Sequence, residues 1–194
     1  MRRILLSFAA LAAAAAFVVP ANAFAPLMVD PSSRQPLENR GTGRMGTSPI
    51  KKTVVEYPGK YKPGTIVVNT TERRLYLIQP DGKALKYGIG VGRDGFTWGG
   101  AHSVTMKREW PDWRPPAAML KRRPDLPRFM PGGPNNPLGA RALYLGSTIY
   151  RIHGSNEPWT IGQAVSSGCF RMTNEDVADL YERVNVGARV VVLR

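Results

Sequence analysis

Cysteine and histidine are nearly missing from this sequence. Its 194 residues contain one cysteine and two histidines. A single cysteine excludes an internal disulfide framework, and a structural zinc site would lack ligands unless carboxylates completed it. The composition therefore predicts neither a metal centre nor a bound cofactor.

Acidic residues are also scarce. Lysine and arginine number 27 against 14 aspartates and glutamates, which gives a formal net charge of +13. Such an excess favours a polyanionic neighbour: nucleic acid, an anionic membrane or an anionic cell wall. No nucleic-acid recognition motif accompanies the charge, so we expect no nucleic-acid partner.

Long hydrophobic runs are absent after the first 23 residues. Arg2 and Arg3 precede the apolar run Ile4–Val19, and Ala21–Ala23 has the A-x-A form of a cleavage site. This order predicts a cleaved secretory signal peptide over residues 1–23, with an uncleaved anchor as the alternative. We expect no transmembrane segment in the mature chain.

The remaining chain divides into a linker and one domain. Residues 24–50 are rich in Pro, Gly, Ser and Arg, which favours a flexible linker. Residues 51–194 suffice for one mostly β domain with its own core. Alternating apolar residues and turn signals predict strands at Thr65–Asn69, Arg74–Ile78, Leu85–Val91, Phe96–Arg108, Ala142–Leu145, Thr148–His153 and Ala188–Leu193. Gly88, Gly90 and Gly92 are interpreted as a closely packed strand rather than a phosphate loop, because no helix follows them.

One good helix is predicted near the C-terminus. Apolar residues at 177, 180, 181 and 184 share a helix face. Thr173 or Asn174 can cap its start, and Gly187 is the expected end.

A long Pro- and Gly-rich loop occupies residues 109–139. Irregular segments of this length inside a compact domain are often functional, for example as a lid. A turn is expected around Ala117–Lys121. Trp110 and Trp113 can flank a substrate groove or pin the loop to the core.

The lone cysteine, Cys169, lies in the segment Arg151–Asn174 together with His153. An unpaired cysteine in an exported protein is either buried and inert, linked to another chain, or kept for its reactivity. His153 can take the thiol proton if the fold brings the two together, and a nearby backbone carbonyl can orient its ring. The turn Ser166–Cys169 offers successive backbone N–H groups for an oxyanion hole, and Arg171 adds positive charge. His102 has no motif around it and is predicted to be an ordinary strand residue.

These residues resemble a known family. The pattern is His153-Gly154, then Ser166-x-Gly168-Cys169-Phe170-Arg171-Met172, then Asn174-x-Asp176. It is similar to the signature of L,D-transpeptidases with a YkuD-type catalytic domain, and the resemblance spans about residues 51–194. Many members have a histidine where this chain has Ser167.

The resemblance implies a β-sandwich-like domain of a periplasmic or cell-envelope enzyme that acts on peptidoglycan stem peptides. In such enzymes the cysteine attacks the L-centre carbonyl of the third stem residue, D-alanine leaves, and an amine resolves the thioester. That amine belongs to another stem, a free D-amino acid or an anchored envelope protein. By this match Cys169 is the nucleophile, His153 the base and Gly154 the carbonyl that orients it.

The match also assigns the supporting residues. Ser167 and Gly168 are expected in the oxyanion hole. Arg171 is expected to hold a substrate carboxylate, and Ser166 and Asn174 are the other expected substrate-binding residues.

Two alternatives remain open at the level of sequence. The same acyl-enzyme can be resolved by water, which gives a carboxypeptidase or wall hydrolase. A non-catalytic, basic wall-binding module would explain the charge but not the paired Cys169 and His153. We expect a monomer.

Overall fold

The computed structural model describes residues 48–194. Within them the chain is mostly β-structure with one main helix, as the sequence predicts. The strands are β1 (Thr53–Glu56), β2 (Ile66–Asn69), β3 (Arg74–Ile78), β4 (Lys83–Gly88), β5 (Val91–Gly92), β6 (Gly100–Glu109), β7 (Arg141–Leu145), β8 (Arg151–His153), β9 (Ala164–Ser166), β10 (Phe170–Arg171) and β11 (Arg189–Leu193). The helices are α1 (Ala117–Arg122) and α2 (Asn174–Arg183), with a 3₁₀ turn at Pro158–Thr160.

Nine strands form one sheet in the order β1-β4-β3-β2-β11-β6-β7-β8-β10. β5 and β9 form a separate parallel pair. Most neighbours are antiparallel, but β11 pairs in parallel with β2 and β10 pairs in parallel with β8. The last strand of the chain therefore lies at the centre of the sheet, whereas β10 forms one edge.

Strands from opposite ends of this sheet share one hydrophobic core. Leu75 on β3 and Tyr87 on β4 belong to the same buried cluster as Ile152 on β8 and Phe170 on β10. The sheet therefore folds over on itself and encloses its apolar face, as in a sandwich. Leu180 of α2 joins the cluster, so the helix contributes to the same core.

The main helix begins where the sequence indicates. The hydroxyl of Thr173 accepts a hydrogen bond from the Asp176 N–H (3.1 Å), so Thr173 is the N-cap. The helix ends at Arg183, so the predicted end at Gly187 is wrong. Gly187 instead lies in the turn before β11, with a φ of 93° that suits glycine.

Two predicted strands have different bounds in the structure. The strand expected over Leu85–Val91 ends at Gly88, because the following residues pair with β10 through a bridge between Gly90 and Arg171. The strand expected over Phe96–Arg108 begins at Gly100, because the Phe96 N–H closes a turn onto the Arg93 carbonyl.

The strand expected over Thr148–His153 also begins late, at Arg151. The Thr148 hydroxyl donates to the Leu145 carbonyl (2.6 Å), which closes a turn before the strand. The other predicted strands are found within one residue of their expected ends, and His102 lies on β6 as expected.

The glycine-rich strand end is tightly packed, as predicted. A Cβ on Gly88 would lie 2.6 Å from the Ile50 side chain, and a Cβ on Gly92 would collide with the Phe96 carbonyl. Ile50 therefore packs on the domain one residue before its expected boundary at 51.

The Pro- and Gly-rich segment at 109–139 contains α1, and an isolated bridge between Trp113 and Met130 closes its base. None of the helices among residues 48–194 has the length and apolar character that crossing a membrane requires. The signal peptide predicted at 1–23 and nearly all of the linker predicted at 24–50 lie outside the described residues.

Candidate active site

A short parallel ladder brings the candidate residues together. β10 pairs with β8 so that Phe170 lies opposite Ile152. Both side chains are buried in the core. Because side chains alternate along a strand, the neighbouring residues point to the opposite face. Four of these neighbours line one cavity of about 220 Å³: Arg151, His153, Cys169 and Arg171.

His153 is buried and held in one orientation. Its Nδ1 lies 2.6 Å from the Gly154 carbonyl oxygen, which can only accept, so Nδ1 carries the proton and Nε2 is left as the basic nitrogen. Burial, the charge of Arg171 and the charge of Arg151 lower the pKa of His153 to about 3, against the opposing effect of the Gly154 hydrogen bond. The imidazole is therefore neutral at ordinary pH and able to accept a proton.

Cys169 lines the cavity with its side chain partly accessible. Its sulfur lies 3.9 Å from the Ile149 carbonyl oxygen. Burial raises the pKa of this thiol, while the charge of Arg151 and hydrogen bonds from its backbone and side chain act in the opposite direction. In the resting site the thiol is therefore protonated, and the histidine that lines the same cavity is neutral.

Ser166 braces the turn that presents the cysteine. Its hydroxyl donates to the Cys169 carbonyl (2.6 Å) and accepts from the Gly168 N–H (3.1 Å). The Gly168 N–H is thus already engaged. Within residues 48–194, the N–H groups of Ser167 and Cys169 have no backbone or side-chain acceptor.

Trp98 supports this turn from behind. Its indole N–H donates to the Gly168 carbonyl (2.7 Å), and its ring stacks on Tyr150 at a centroid distance of 4.4 Å. Gly168 has a φ of 106°, and a Cβ there would lie 2.5 Å from the Tyr150 ring. Only glycine fits this position without movement. The sequence does not indicate this support, because it joins residues far apart in the chain.

Arg171 has a partner that the sequence does not indicate either. Its guanidinium donates to Glu157 at 2.8 Å, and both side chains are buried. The arginine expected to hold a substrate carboxylate therefore already binds a carboxylate of the protein.

Asn174 lies beneath the cavity wall. Its Oδ1 accepts from the Ala140 N–H (2.8 Å), and a Cβ on Gly154 would collide with the same oxygen. The side chain thus connects the end of the long loop to the strand that carries the histidine.

Ser167 lines the cavity where many relatives are expected to have histidine. Its buried hydroxyl has no hydrogen-bond partner among the described residues. This hydroxyl is therefore available to a group that enters the cavity.

The segment at 109–139 also contributes to the cavity wall. Trp113, Met119 and Leu126 line the same cavity as the cysteine. Trp113 is 9% exposed, so this tryptophan both pins the segment and flanks the cavity, whereas Trp110 is 43% exposed. Between residues 48 and 194, no three His, Cys, Asp or Glu side chains converge as a metal site would require.

A mostly β domain that presents a lone cysteine and a neutral histidine to one cavity has the parts that a thiol-dependent acyl-transfer enzyme requires. The family model for the YkuD L,D-transpeptidase catalytic domain matches residues 63–192. The chain belongs to this family of L,D-transpeptidases.

Named relatives agree on the family. The probable L,D-transpeptidase ErfK/SrfK of Escherichia coli K12 is 40% identical over 137 residues, which are 66% of this chain and 43% of that protein. The probable L,D-transpeptidase YbiS of the same strain is 42% identical over 135 residues, 64% of this chain and 43% of that protein. The chain thus spans less than half the length of each of these two relatives.

Solved structures extend the likeness to the fold. An L,D-transpeptidase from Mycobacterium smegmatis superposes with a TM-score of 0.55 at 16% identity, covering 67% of this chain and 58% of that one, which shows the fold alone.

Proposed function

We propose that this protein is a peptidoglycan L,D-transpeptidase in which Cys169 is the nucleophile and His153 the general base. The observation that carries the proposal is the parallel ladder of β8 and β10, which puts both side chains on the wall of one cavity. Membership of the family supports the substrate class, the stem peptides of peptidoglycan.

The first half-reaction forms an acyl-enzyme. The Cys169 sulfur bonds to the L-centre carbonyl carbon of the third residue of a tetrapeptide stem, and its proton passes to Nε2 of His153. The C–N bond to D-alanine then breaks, and the departing amine takes the proton from His153. The Gly154 carbonyl supports these steps because it holds Nδ1 protonated and so keeps Nε2 basic.

The second half-reaction resolves the thioester. An acceptor amine attacks the same carbonyl carbon and loses a proton to His153. The carbon–sulfur bond breaks, and the sulfur recovers its proton. The acceptor is the amine of another stem, of a D-amino acid or of an anchored protein.

Both half-reactions pass through a tetrahedral oxyanion. The N–H groups of Ser167 and Cys169 are the proposed donors, because the Gly168 N–H is engaged by Ser166. Gly168 contributes through its positive φ, which shapes the turn. Ser166 acts as the brace of the oxyanion hole.

The proposed substrate also indicates where in the cell the protein acts. Peptidoglycan lies outside the cytoplasmic membrane, so we propose the periplasm or cell envelope as the location. The net charge of +13 suits residence beside anionic wall polymers.

The test is mass spectrometry of the full chain incubated with purified disaccharide-tetrapeptide. Cys169→Ala and His153→Ala are examined in parallel, and Arg189→Gln, outside the cavity, is the matched control. We expect a thioester adduct on the wild-type protein, loss of D-alanine, and a cross-linked or exchanged product. Both site variants are expected to lack the product, whereas the control retains it.

The outcomes separate the alternatives. Loss of D-alanine without a cross-linked or exchanged product would favour resolution by water. Unchanged activity in Cys169→Ala would overturn the nucleophile assignment. An unmodified tetrapeptide, with a folded protein and an intact thiol, would overturn the proposed function.

A further inference from the structure

The cavity around Cys169 is positively charged. Its lining includes Arg122, Arg151 and Arg171 and no aspartate or glutamate. Arg171 is paired with Glu157. Arg122 belongs to α1 and stacks over the Phe96 ring. Arg151 lies on the same short ladder as the thiol and, among residues 48–194, has no carboxylate within ion-pairing distance.

Strand register determines where Arg151 lies. The pairing of Ile152 with Phe170 puts Arg151 beside Cys169 at the edge of the sheet. On its other side β7 pairs with β8 so that Tyr144 lies opposite Arg151. The guanidinium stacks over the Tyr144 ring at 4.9 Å, which holds this flexible side chain in the cavity wall.

The guanidinium still has hydrogen-bonding capacity. One terminal nitrogen donates to the Ile149 carbonyl (3.2 Å), and the side chain also donates to the Cys169 sulfur. The Nε atom is buried and has no acceptor in the described part of the chain. A buried cationic donor without an acceptor is costly, and a carboxylate that accepts two parallel hydrogen bonds is the partner whose shape matches it.

We propose that Arg151 binds the terminal carboxylate of the residue that leaves the substrate, and so selects stems that end one residue after the scissile bond. This inference deepens the proposed function and rests on it. Three covalent bonds join the scissile carbonyl carbon to the carboxylate carbon of the leaving residue. A cation beside the attacking sulfur is therefore close to that carboxylate. The carboxylate at the far end of a diaminopimelate side chain is about twice as many bonds away.

The first test needs no peptidoglycan. Iodoacetate and iodoacetamide both alkylate a thiolate: a sulfur–carbon bond forms and iodide leaves with the bonding electrons. They differ in that iodoacetate carries a carboxylate. The ratio of their rate constants reports a cation at the sulfur, because any change in thiol ionisation affects both reagents equally.

We expect Arg151→Gln to lower the iodoacetate-to-iodoacetamide ratio of the full chain by about tenfold or more. Arg151→Lys keeps the charge but not the planar fork, so an intermediate ratio is expected. Arg189→Gln removes one positive charge outside the cavity and controls for long-range effects. An unchanged ratio in Arg151→Gln, with iodoacetamide still reacting, would overturn the proposal.

The second test uses two donors, the disaccharide-tetrapeptide with a free C-terminal carboxylate and the same compound with a C-terminal amide. Wild-type protein is expected to form the acyl-enzyme about tenfold or more faster with the free acid. Arg151→Gln should react with the two donors at similar rates, because the substitution slows only the reaction with the free acid.

The two possible failures are distinguishable. Equal wild-type rates with acid and amide would overturn the role of Arg151 and leave the transpeptidase function intact. Reaction with neither donor would overturn the proposed function, and the carboxylate assignment would fall with it.

Discussion

The ion pair of Glu157 and Arg171 gives the strongest test of the cavity's architecture. The two side chains are 2.8 Å apart and each is only 10% exposed, so solvent screens them little. Glu157→Gln removes the negative charge, changes the volume little and leaves Arg171 as an uncompensated buried cation. Breaking a buried pair in this way costs about 3–5 kcal/mol. Glutamine keeps an oxygen acceptor, so we expect a loss of about 3 kcal/mol in the free energy of unfolding.

The measurement is urea unfolding at neutral pH, arranged as a double-mutant cycle. Arg171→Met is the second single variant, and it removes the cation that pairs with Glu157. The double variant has neither charge, and replacement of both partners of a buried pair is often close to neutral. We therefore expect it to be more stable than the sum of the single effects implies, with a coupling energy of about 2 kcal/mol or more.

Two results would refute this reasoning. A loss below about 1 kcal/mol in Glu157→Gln would mean that the charges are as weakly coupled as an exposed pair. An equal effect of Glu157→Gln with and without Arg171 would mean that the glutamate acts through other contacts. Glu182→Gln, which is exposed on α2, is the matched control.

Three further predictions concern the thiol, its turn and the helix. Because burial raises the pKa of Cys169, alkylation by iodoacetamide should accelerate up to alkaline pH, and a rate plateau extending to pH ~5 would instead indicate a stable thiolate. Gly168→Ala should lower both the free energy of unfolding, measured in urea, and the alkylation rate of the thiol. Gly187 also has a positive φ, but a Cβ there would enter open space. Gly187→Ala should therefore lower the free energy of unfolding only by the backbone strain, about 1–2 kcal/mol. Burial alone would raise the pKa of Asp179, but hydrogen bonds from an arginine, a buried tyrosine and a lysine outweigh that effect and lower this pKa. The ionised carboxylate therefore stabilises the fold above the ordinary carboxyl pKa. This stabilisation is lost as the pH falls through the lower pKa of the folded state. Asp179→Asn should therefore lower the Tm at pH 7 and much less at strongly acid pH, and an equal Tm loss at both, or a similar loss in Glu182→Gln, would contradict this.

The parts of the structure that were predicted depend on local pattern. Alternation of apolar residues located the strands, and the two candidate caps, Thr173 and Asn174, marked the start of α2 to within one residue. The strand ends were less accurate because they depend on hydrogen bonds across the fold. At Thr148, for example, a side-chain bond to Leu145 replaces the strand that the local sequence favours.

In the candidate site, too, some residues could be predicted from local sequence and others only from the folded chain. Cys169 and His153 were found because both residue types are rare in the chain and stand beside glycine. The pairing of Arg171 with Glu157 joins residues 14 positions apart with no periodic relation, so it follows only from the folded chain. The sequence does not single out Arg151, because arginine is common in this chain and the proposed role of Arg151 depends on strand register.

The core and the site constrain each other through that register. Ile152 and Phe170 are at most 1% exposed, and they lie opposite each other on β8 and β10. A shift of one residue in the strand register would turn both side chains out of the core and turn the thiol and the imidazole into it. The fold would then lose the stabilisation from burying two large apolar side chains. The hydrophobic core therefore fixes which faces carry the reactive groups. Because this constraint acts through burial alone, the fold can keep Cys169, His153 and Arg151 on one wall without direct bonds between the first two.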